Sequence, residues 1–412
     1  MAWILPFRGI LYNVSKVSVE DVLAPPYDII TPEYREELYK RSSYNIVRID
    51  FGKEVPGDTE AENKYTRARR HLDTWIEEGV LLRSERPSFY AYEMSYRING
   101  EQKQLRGFLC LVKIEELGKG GIYPHECTYS KPKQDRLNLL KSCEANISPI
   151  FSLYKSSEKI VSSILSDISS GESYISAEDK DGAIHKIWPV DETEKIEIIK
   201  NELEDKAIFI ADGHHRYETT FEFYREIHQK LKNPSGTQPF DYVMMFLVNM
   251  MDEGITILPT HRLIKEIPEN ISKTFPEYFD IEPVKSDFNI EKRLSGKKRV
   301  FGFFRNRDEE WYLLKYKGGN LSEIHSELRD IDVFILHELI FKKIFKTTDI
   351  GYEMDVKTAL NRVKSGEFSA AFFLNPTKIG DVEKAALSSL RMPPKSTYFY
   401  PKLLTGLVIY KW

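Results

Sequence analysis

Apolar positions in this chain recur at two periods, and the switches between them mark out its elements. From 88 to 98 and from 102 to 114 they alternate or run together around Asn99-Gly100, a strong short-range signal for a tight hairpin. Nearly continuous apolar runs at 148–154, 207–211, 242–250 and 369–374 read as buried strands. Shorter runs at 3–12 and 45–51 read the same way, and Asp181-Gly182 turns a second hairpin. Helical spacing takes over at Tyr65, Ala68, Leu72, Trp75 and Ile76, with Gly79 as the stop. It returns at 131–143, at 158–168 and at Tyr217, Phe221, Tyr224, His228 and Leu231. Thr31-Pro32 supplies an N-cap and a first helical residue, and Asp191 with Glu194 reads as a capping box.

Beyond residue 265 the pattern becomes a smaller α+β section. It holds a hairpin (299–304, 311–317), an amphipathic helix through Val333, Leu336, Leu339, Ile340 and Phe341, and a short helix capped by Asp381. Strands and helices interleave while hairpins recur, which predicts an α/β protein with an α+β mixed sheet. The expected organisation is a core over 1–264 with an N-terminal elaboration, the smaller section over 265–390, and a tail over 391–412 that packs back on the core. The interleaved Met392, Tyr398, Phe399 and Tyr400 argue that this tail is docked rather than loose.

Composition narrows the function classes. Over 412 residues the net charge is −4, with 41% apolar and 30% charged residues, an ordinary globular balance. That charge argues against nucleic-acid binding by bulk electrostatics. Three cysteines without Cys-x-x-Cys spacing fit a reducing compartment, no apolar run reaches membrane-spanning length, and the N-terminus lacks a signal-peptide pattern. The expectation is a cytoplasmic protein with small-molecule partners and no membrane, in which a homodimer is allowed.

Chemistry concentrates first at Asp212-Gly213-His214-His215-Arg216. The apolar run before it ends where helical spacing begins, so these residues sit at a strand end and a helix N-terminus. Backbone N–H groups and the positive end of the helix dipole favour an anion there. An arginine can add a bidentate charged contact to phosphate oxygens, and histidines add N–H donors. The plainer alternative is a capped helix with Asp212 as the N-cap. A metal would need distant partners such as His125, Glu126 or His261, because adjacent His214 and His215 diverge.

Other candidates follow along the chain. His125 and Glu126 lie in a glycine-hinged loop and could supply a general base, as could Asp212. Asp28 is held on the stiff backbone after Pro25-Pro26, where it could ligand Mg²⁺ or position a substrate. Lys131 and Arg136 open a helix. His261-Arg262 repeats the His-Arg pair at a strand end, and Lys395, Ser396, Thr397 and Lys402 stand among prolines and aromatics of the tail. If 207–211 and 255–258 share a sheet, both His-Arg pairs face one anionic cleft. No phosphate loop of the Gly-x-x-x-x-Gly-Lys type, no His-Glu-x-x-His and no Gly-x-Ser-x-Gly occurs.

Five segments together resemble the prokaryotic family called domain of unknown function 1015. They are Ala24-Pro25-Pro26-Tyr27-Asp28, Pro124-His125-Glu126-x-Thr128, Ile210 to Glu218, Pro259-Thr260-His261-Arg262 and Met392 to Lys402. The Asp-Gly-His-His-Arg turn alone is similar to the phosphate motif of the ParB/sulfiredoxin superfamily, whose members include sulfiredoxins, ParB proteins and free-serine kinases. This resemblance implies a ParB/sulfiredoxin-like nucleotide-binding core in which Gly213, His215 and Arg216 hold phosphates, with His214 beside them. His214 stands where sulfiredoxin has its reactive cysteine, so sulfinic-acid repair is not implied. The activity implied is a kinase using ATP, ADP or another nucleotide with Mg²⁺ on a small hydroxylated metabolite, L-serine first. His261, Arg262, Lys131, Arg136, Lys395 and Lys402 would neutralise charge or bind substrate. A ParB-type nucleotide switch and a metal-dependent hydrolase are the alternatives.

Overall fold

Asn99 and Gly100 both adopt positive φ (51° and 82°), the mirror-image turn that matches strand twist, and strands Phe89–Ile98 and Glu101–Lys113 pair antiparallel across it. This hairpin lies inside a nine-stranded sheet of the computed structural model. The model describes residues 3–127, 130–232, 234–284, 289–306, 309–319, 321 and 324–412, leaving aside the side chains of 130–132. The chain divides into two compact units. The first comprises residues 1–124, 128–255 and 401–412; the second comprises 125–127 and 256–400. These bounds differ from the expected break at 264/265. They also split the tail, whose last twelve residues belong to the first unit.

Among the described residues, the first unit's sheet runs Ile122–Tyr123, Ile208–Asp212, Ile150–Tyr154, Tyr242–Asn249, Glu101–Lys113, Phe89–Ile98, Ile184–Val190, Ile175–Glu178, with Ile4–Leu5 added beside Glu101–Lys113. Ile208–Asp212 runs parallel to Ile122–Tyr123, and Tyr242–Asn249 runs parallel to Ile150–Tyr154; the other pairs are antiparallel. It is the mixed sheet that the interleaved pattern implied. Every residue of Tyr242–Asn249 is buried, as its unbroken apolar run requires. The tail closes on this unit through Tyr410 opposite Asn146, Ile409 bridging Ile10, and Thr405 bridging Ala24.

In the second unit a six-stranded antiparallel sheet runs Phe279–Val284, Glu310–Tyr316, Val300–Arg305, Ala370–Phe373, His261–Ile264, Ile350–Glu353. Its core is rich in phenylalanine, including Phe279, Phe301, Phe303, Phe341 and Phe372. Thr256–Leu258 pairs with Tyr398–Tyr400 as a separate two-stranded ribbon. The premise that 207–211 and 255–258 share one sheet therefore fails.

Four local expectations change for identifiable reasons. Residues 45–51 form a helical turn, Val47–Asp50, because Asn45 Oδ1 accepts the Val47 N–H at 3.0 Å and starts the turn. Residues 3–12 break at Pro6 into Ile4–Leu5 and Ile10–Tyr12. Helix Thr193–Leu203 has Glu192 as its N-cap without a side-chain bond, so the Asp191 capping box is not made. Asp381 lies inside the first turn of Ile379–Leu387, where it complements the dipole, and Lys378 holds the cap position. Thr31 does cap Pro32–Arg41, accepting from Tyr34 N.

Candidate functional site

Strand Ile208–Asp212 is buried through Ala211, and its register against Ile150–Tyr154 shifts between Ile210 and Asp212. That bulge re-aims the last strand residue. Gly213 follows in the left-handed region (φ 97°, ψ 25°) as N-cap of helix His214–Lys230, and no side chain caps this end. Asp212 is therefore not the cap. Its carboxylate lies between two cations instead: Oδ2 is 3.0 Å from Arg216 Nη2, and Oδ1 is 3.2 Å from Lys402 Nζ. Arg216 folds back over the glycine, so a Cβ at 213 would stand 3.0 Å from its Nε and Nη2. The guanidinium also donates to Ser148 Oγ at 3.2 Å and to the Pro149 carbonyl. His214, buried, and His215, half-buried, are the first two residues of this helix.

Arg216, Asp50 and Arg136 are among the residues that line a small cleft of about 50 Å³ in the first unit. Arg136 comes from helix Ser130–Cys143 and is 7% exposed. It donates through Nη1 to Asp50 Oδ1 (3.0 Å) and through Nη2 to Asp135 Oδ2 (2.6 Å), and it stacks 4.1 Å from the Tyr27 ring centroid. Burial opposes the charge on Arg136, yet Asp50 and Asp135 outweigh it and hold its pKa above the ordinary value. Burial pushes the Asp135 carboxyl up, but Arg136 and Lys64 more than reverse this, bringing it down to about 2. Asp50 goes the other way. Burial raises it, and the opposing pull of Arg136 and Arg216 does not cancel the rise. Tyr27 is pushed up to about 12, mainly by burial.

The proline-stiffened segment thus delivers Tyr27 to Arg136. Asp28 beside it is exposed and lies within electrostatic reach of both Tyr27 and Asp50. Of the residues singled out from sequence, the first unit gathers Asp28, Arg136, Asp212, Gly213, Arg216 and Lys402. The side chain of Lys131 lies outside the described residues. Asp50 was missed because the stretch holding it reads as a strand. The available signal was an aspartate following Ile46, Val47 and Ile49, where a buried strand would call for another apolar residue.

A second group forms within the second unit. Glu126 Oε1 accepts from Thr397 N and from Thr397 Oγ1, both at 2.9 Å, and His125 Nε2 lies 2.9 Å from the same hydroxyl. His125 is fully buried, and its carbonyl accepts the Met392 N–H. Ser396 Oγ donates to Pro393 O at 2.6 Å. Arg262 is buried and donates to the backbone carbonyls of Thr260 and Lys395, with its guanidinium 4.7 Å from the Tyr352 ring centroid. It clasps two chain segments together. Lys395 is exposed in a left-handed conformation (φ 58°). His261 is buried, accepts Leu374 N at its Nδ1, and has its pKa lowered by burial, then by Arg262, to about 3. It stays neutral across the physiological range. Among the described residues, no group of three or more His, Cys, Asp or Glu is placed to hold a metal ion.

A family model described as "Protein of unknown function (DUF1015)" matches residues 4–334. The chain belongs to this family. Four of the five segments that resembled it fall within this match, which stops short of the 392–402 segment. No curated protein matches in sequence. Among solved structures, a conserved hypothetical protein from Pyrococcus furiosus is similar at 13% identity, covering 69% of this chain and 89% of its own (TM-score 0.36). A free serine kinase in complex with AMP is similar at 12% identity, covering 69% of this chain and 92% of its own (TM-score 0.36). SbnI with a C-terminal truncation, from Staphylococcus aureus, is similar at 12% identity over 72% of this chain and 85% of its own (TM-score 0.36). No helix among the described residues is long and apolar enough to cross a membrane.

Proposed function

We propose that this protein is a nucleotide-dependent phosphotransferase acting on a small hydroxylated metabolite, with L-serine the first substrate to try. The observation that carries the reading is the turn at Gly213. A left-handed glycine opens a 17-residue helix with no side chain capping it, and Arg216 and Lys402 stand beside that helix end. A helix N-terminus flanked by an arginine and a lysine suits phosphate oxygens. The sequence resemblance of this turn to the ParB/sulfiredoxin phosphate motif points the same way.

In-line phosphoryl transfer is mainly a matter of positioning and charge neutralisation. Gly213 lets the backbone approach the phosphates, and Arg216 and Lys402 offset their charge while remaining tethered to Asp212. Asp28, exposed next to Tyr27, is the carboxylate we assign to help hold Mg²⁺, which otherwise takes its ligands from the phosphates and water. When bound, Mg²⁺ would draw charge from the phosphate oxygens. His125, Glu126 and Thr397 are bonded together in the second unit and Ser396 is tied to Pro393, which suits shaping that unit better than meeting a substrate.

Protein incubated with ATP or ADP, Mg²⁺ and L-serine is expected to yield phosphoserine, and Arg216→Ala to lower the rate at least a hundredfold. No transfer across a panel of nucleotides and hydroxylated acceptors would remove the reading. A nucleotide switch without transfer is the second reading, favoured by the close pairing of Asp212 with both cations, which leaves it poorly suited to act as a base. Tight nucleotide binding with no acceptor turnover would select it.

A further inference from the structure

Arg8 and Arg83 are neighbours on the surface of the first unit, and both side chains are exposed. Ser84 N donates to Gly9 O at 2.8 Å, so the two segments run side by side, and Ile10 faces Arg83 in the register of their strands. Arg8 Nε donates to Ser84 O at 2.8 Å, and Arg83 Nη1 donates to Lys411 O at 3.1 Å. Among the described residues, neither guanidinium forms an ion pair with a carboxylate. Other arginines of this unit do: Arg67 meets Asp58 at 2.6 Å, Arg70 meets Glu62 at 2.8 Å and Arg106 meets Glu93 at 2.6 Å. In a chain with 63 acidic residues against 59 lysines and arginines, two adjacent arginines left to each other are an exception.

The chemistry of a fitting partner follows from this arrangement. Burial of part of its side chain lowers the Arg83 pKa, and the next cause is Arg8, ahead of the opposing Tyr410 and Tyr90. Those phenols are neutral in the physiological range and do not offset the two charges. The carbonyl tethers fix each guanidinium's direction without cancelling its charge, and leave most of its donors unused. Because the two cations repel one another, an anion that meets both at once relieves the repulsion and fills the donors. A carboxylate is filled by one guanidinium fork, whereas a phosphoryl group has oxygens and charge enough for two. The net charge of −4 disfavours a long polyanion such as nucleic acid and leaves a small soluble phosphate.

We propose that Arg8 and Arg83 form a binding site for the phosphoryl group of a small soluble phosphate, built from residues other than those of the Gly213 turn. The site does not depend on the kinase reading. Its tether to Lys411 O ties it to the tail strand Tyr410–Lys411, which pairs with Ala145–Asn146.

The test is calorimetric titration of the full chain with inorganic pyrophosphate, at low salt and without Mg²⁺, on the natural protein and on Arg216→Ala, which disables the Gly213 turn. A saturable site is expected in both. The double variant Arg8→Gln/Arg83→Gln is expected to bind pyrophosphate at that site at least tenfold more weakly while melting as the natural protein does, since both side chains are exposed. The proposal is overturned if Arg216→Ala binds no pyrophosphate or if the folded double variant keeps the affinity. It is equally overturned if succinate binds the pair as tightly as pyrophosphate, or if a short single-stranded oligonucleotide binds it more tightly. Should Arg216→Ala not fold, the number of pyrophosphates bound decides: one fewer in the double variant supports the site, and an equal number removes it. Should the double variant not fold, Arg83→Gln alone takes its place under the same criteria. No outcome depends on phosphoryl transfer, so the kinase reading stands or falls separately.

Discussion

At Gly213 two demands fall on one residue. Its φ of 97° is a conformation that side chains disfavour, and the space where a Cβ would stand is bordered by the Arg216 guanidinium at 3.0 Å. Gly213→Ala is therefore expected to cost on the order of 1–2 kcal/mol in backbone strain alone, read from the urea midpoint. It should also weaken nucleotide binding more than the stability loss explains, because Arg216 must move. His261 gives a residue-scale prediction with a sign. Its folded pKa of about 3 lies below the ordinary 6.5, so the unfolded chain takes up the proton first. No penalty exists above pH 6.5, and stability is lost progressively as pH falls from there toward 3. Arg262 adds to the lowering and Asp355 opposes it. His261→Gln is expected to flatten the stability–pH slope between pH 4 and 6 by up to about 1.4 kcal/mol per pH unit, measured by denaturation across that range. An unchanged slope would show that His261 is protonated at little cost.

At the scale of elements, the cleft depends on the short turn Val47–Asp50 that sequence periodicity reads as a strand. Asn45, fully buried, accepts from Val47 N and donates to the carbonyls of Asp21 (2.7 Å) and Leu23 (3.1 Å). One side chain thus starts the turn and ties it to the preceding segment. Asn45→Ala strands these groups and is expected to cost roughly 1–3 kcal/mol by chemical denaturation. It should also shift Asp50 away from Arg136. The 45–51 run shows why such an element escapes a reading by periodicity. Seven residues with four apolar positions satisfy strand and helix templates alike, and a single side-chain bond decides between them. By contrast the Asn99-Gly100 hairpin was legible, because its turn chemistry and its alternation agree.

At the scale of the whole chain, the two units have separate hydrophobic cores. The chain passes between units more than once, which explains why a single boundary at 264/265 did not describe it. The cysteines report on this folding. Cys110 and Cys143 are fully buried in the first unit, with burial pushing Cys143 up to about 12, whereas Cys127 is exposed. Titration with a thiol reagent at pH 8 is expected to modify one thiol per native chain quickly and all three in denaturant. Rapid reaction of two or more native thiols would contradict the packing described.

By itself the sequence determined the mixed α/β class, the hairpins, the strand–turn–helix at Gly213 and the family, because these follow from local periodicity, turn chemistry and ordered motifs. Tertiary structure alone decided which polar residues share a site. Asp50, Arg136, Arg216 and Lys402 come from four distant parts of the chain, and only sheet order and burial bring them within bonding distance or onto one cleft. It also decided surroundings: the His-Arg pair at 215–216 opens a helix with Arg216 held on Asp212, whereas the pair at 261–262 is buried and clasps two segments. Charge and spacing say what a side chain can do, while desolvation and the partners it meets fix what it does.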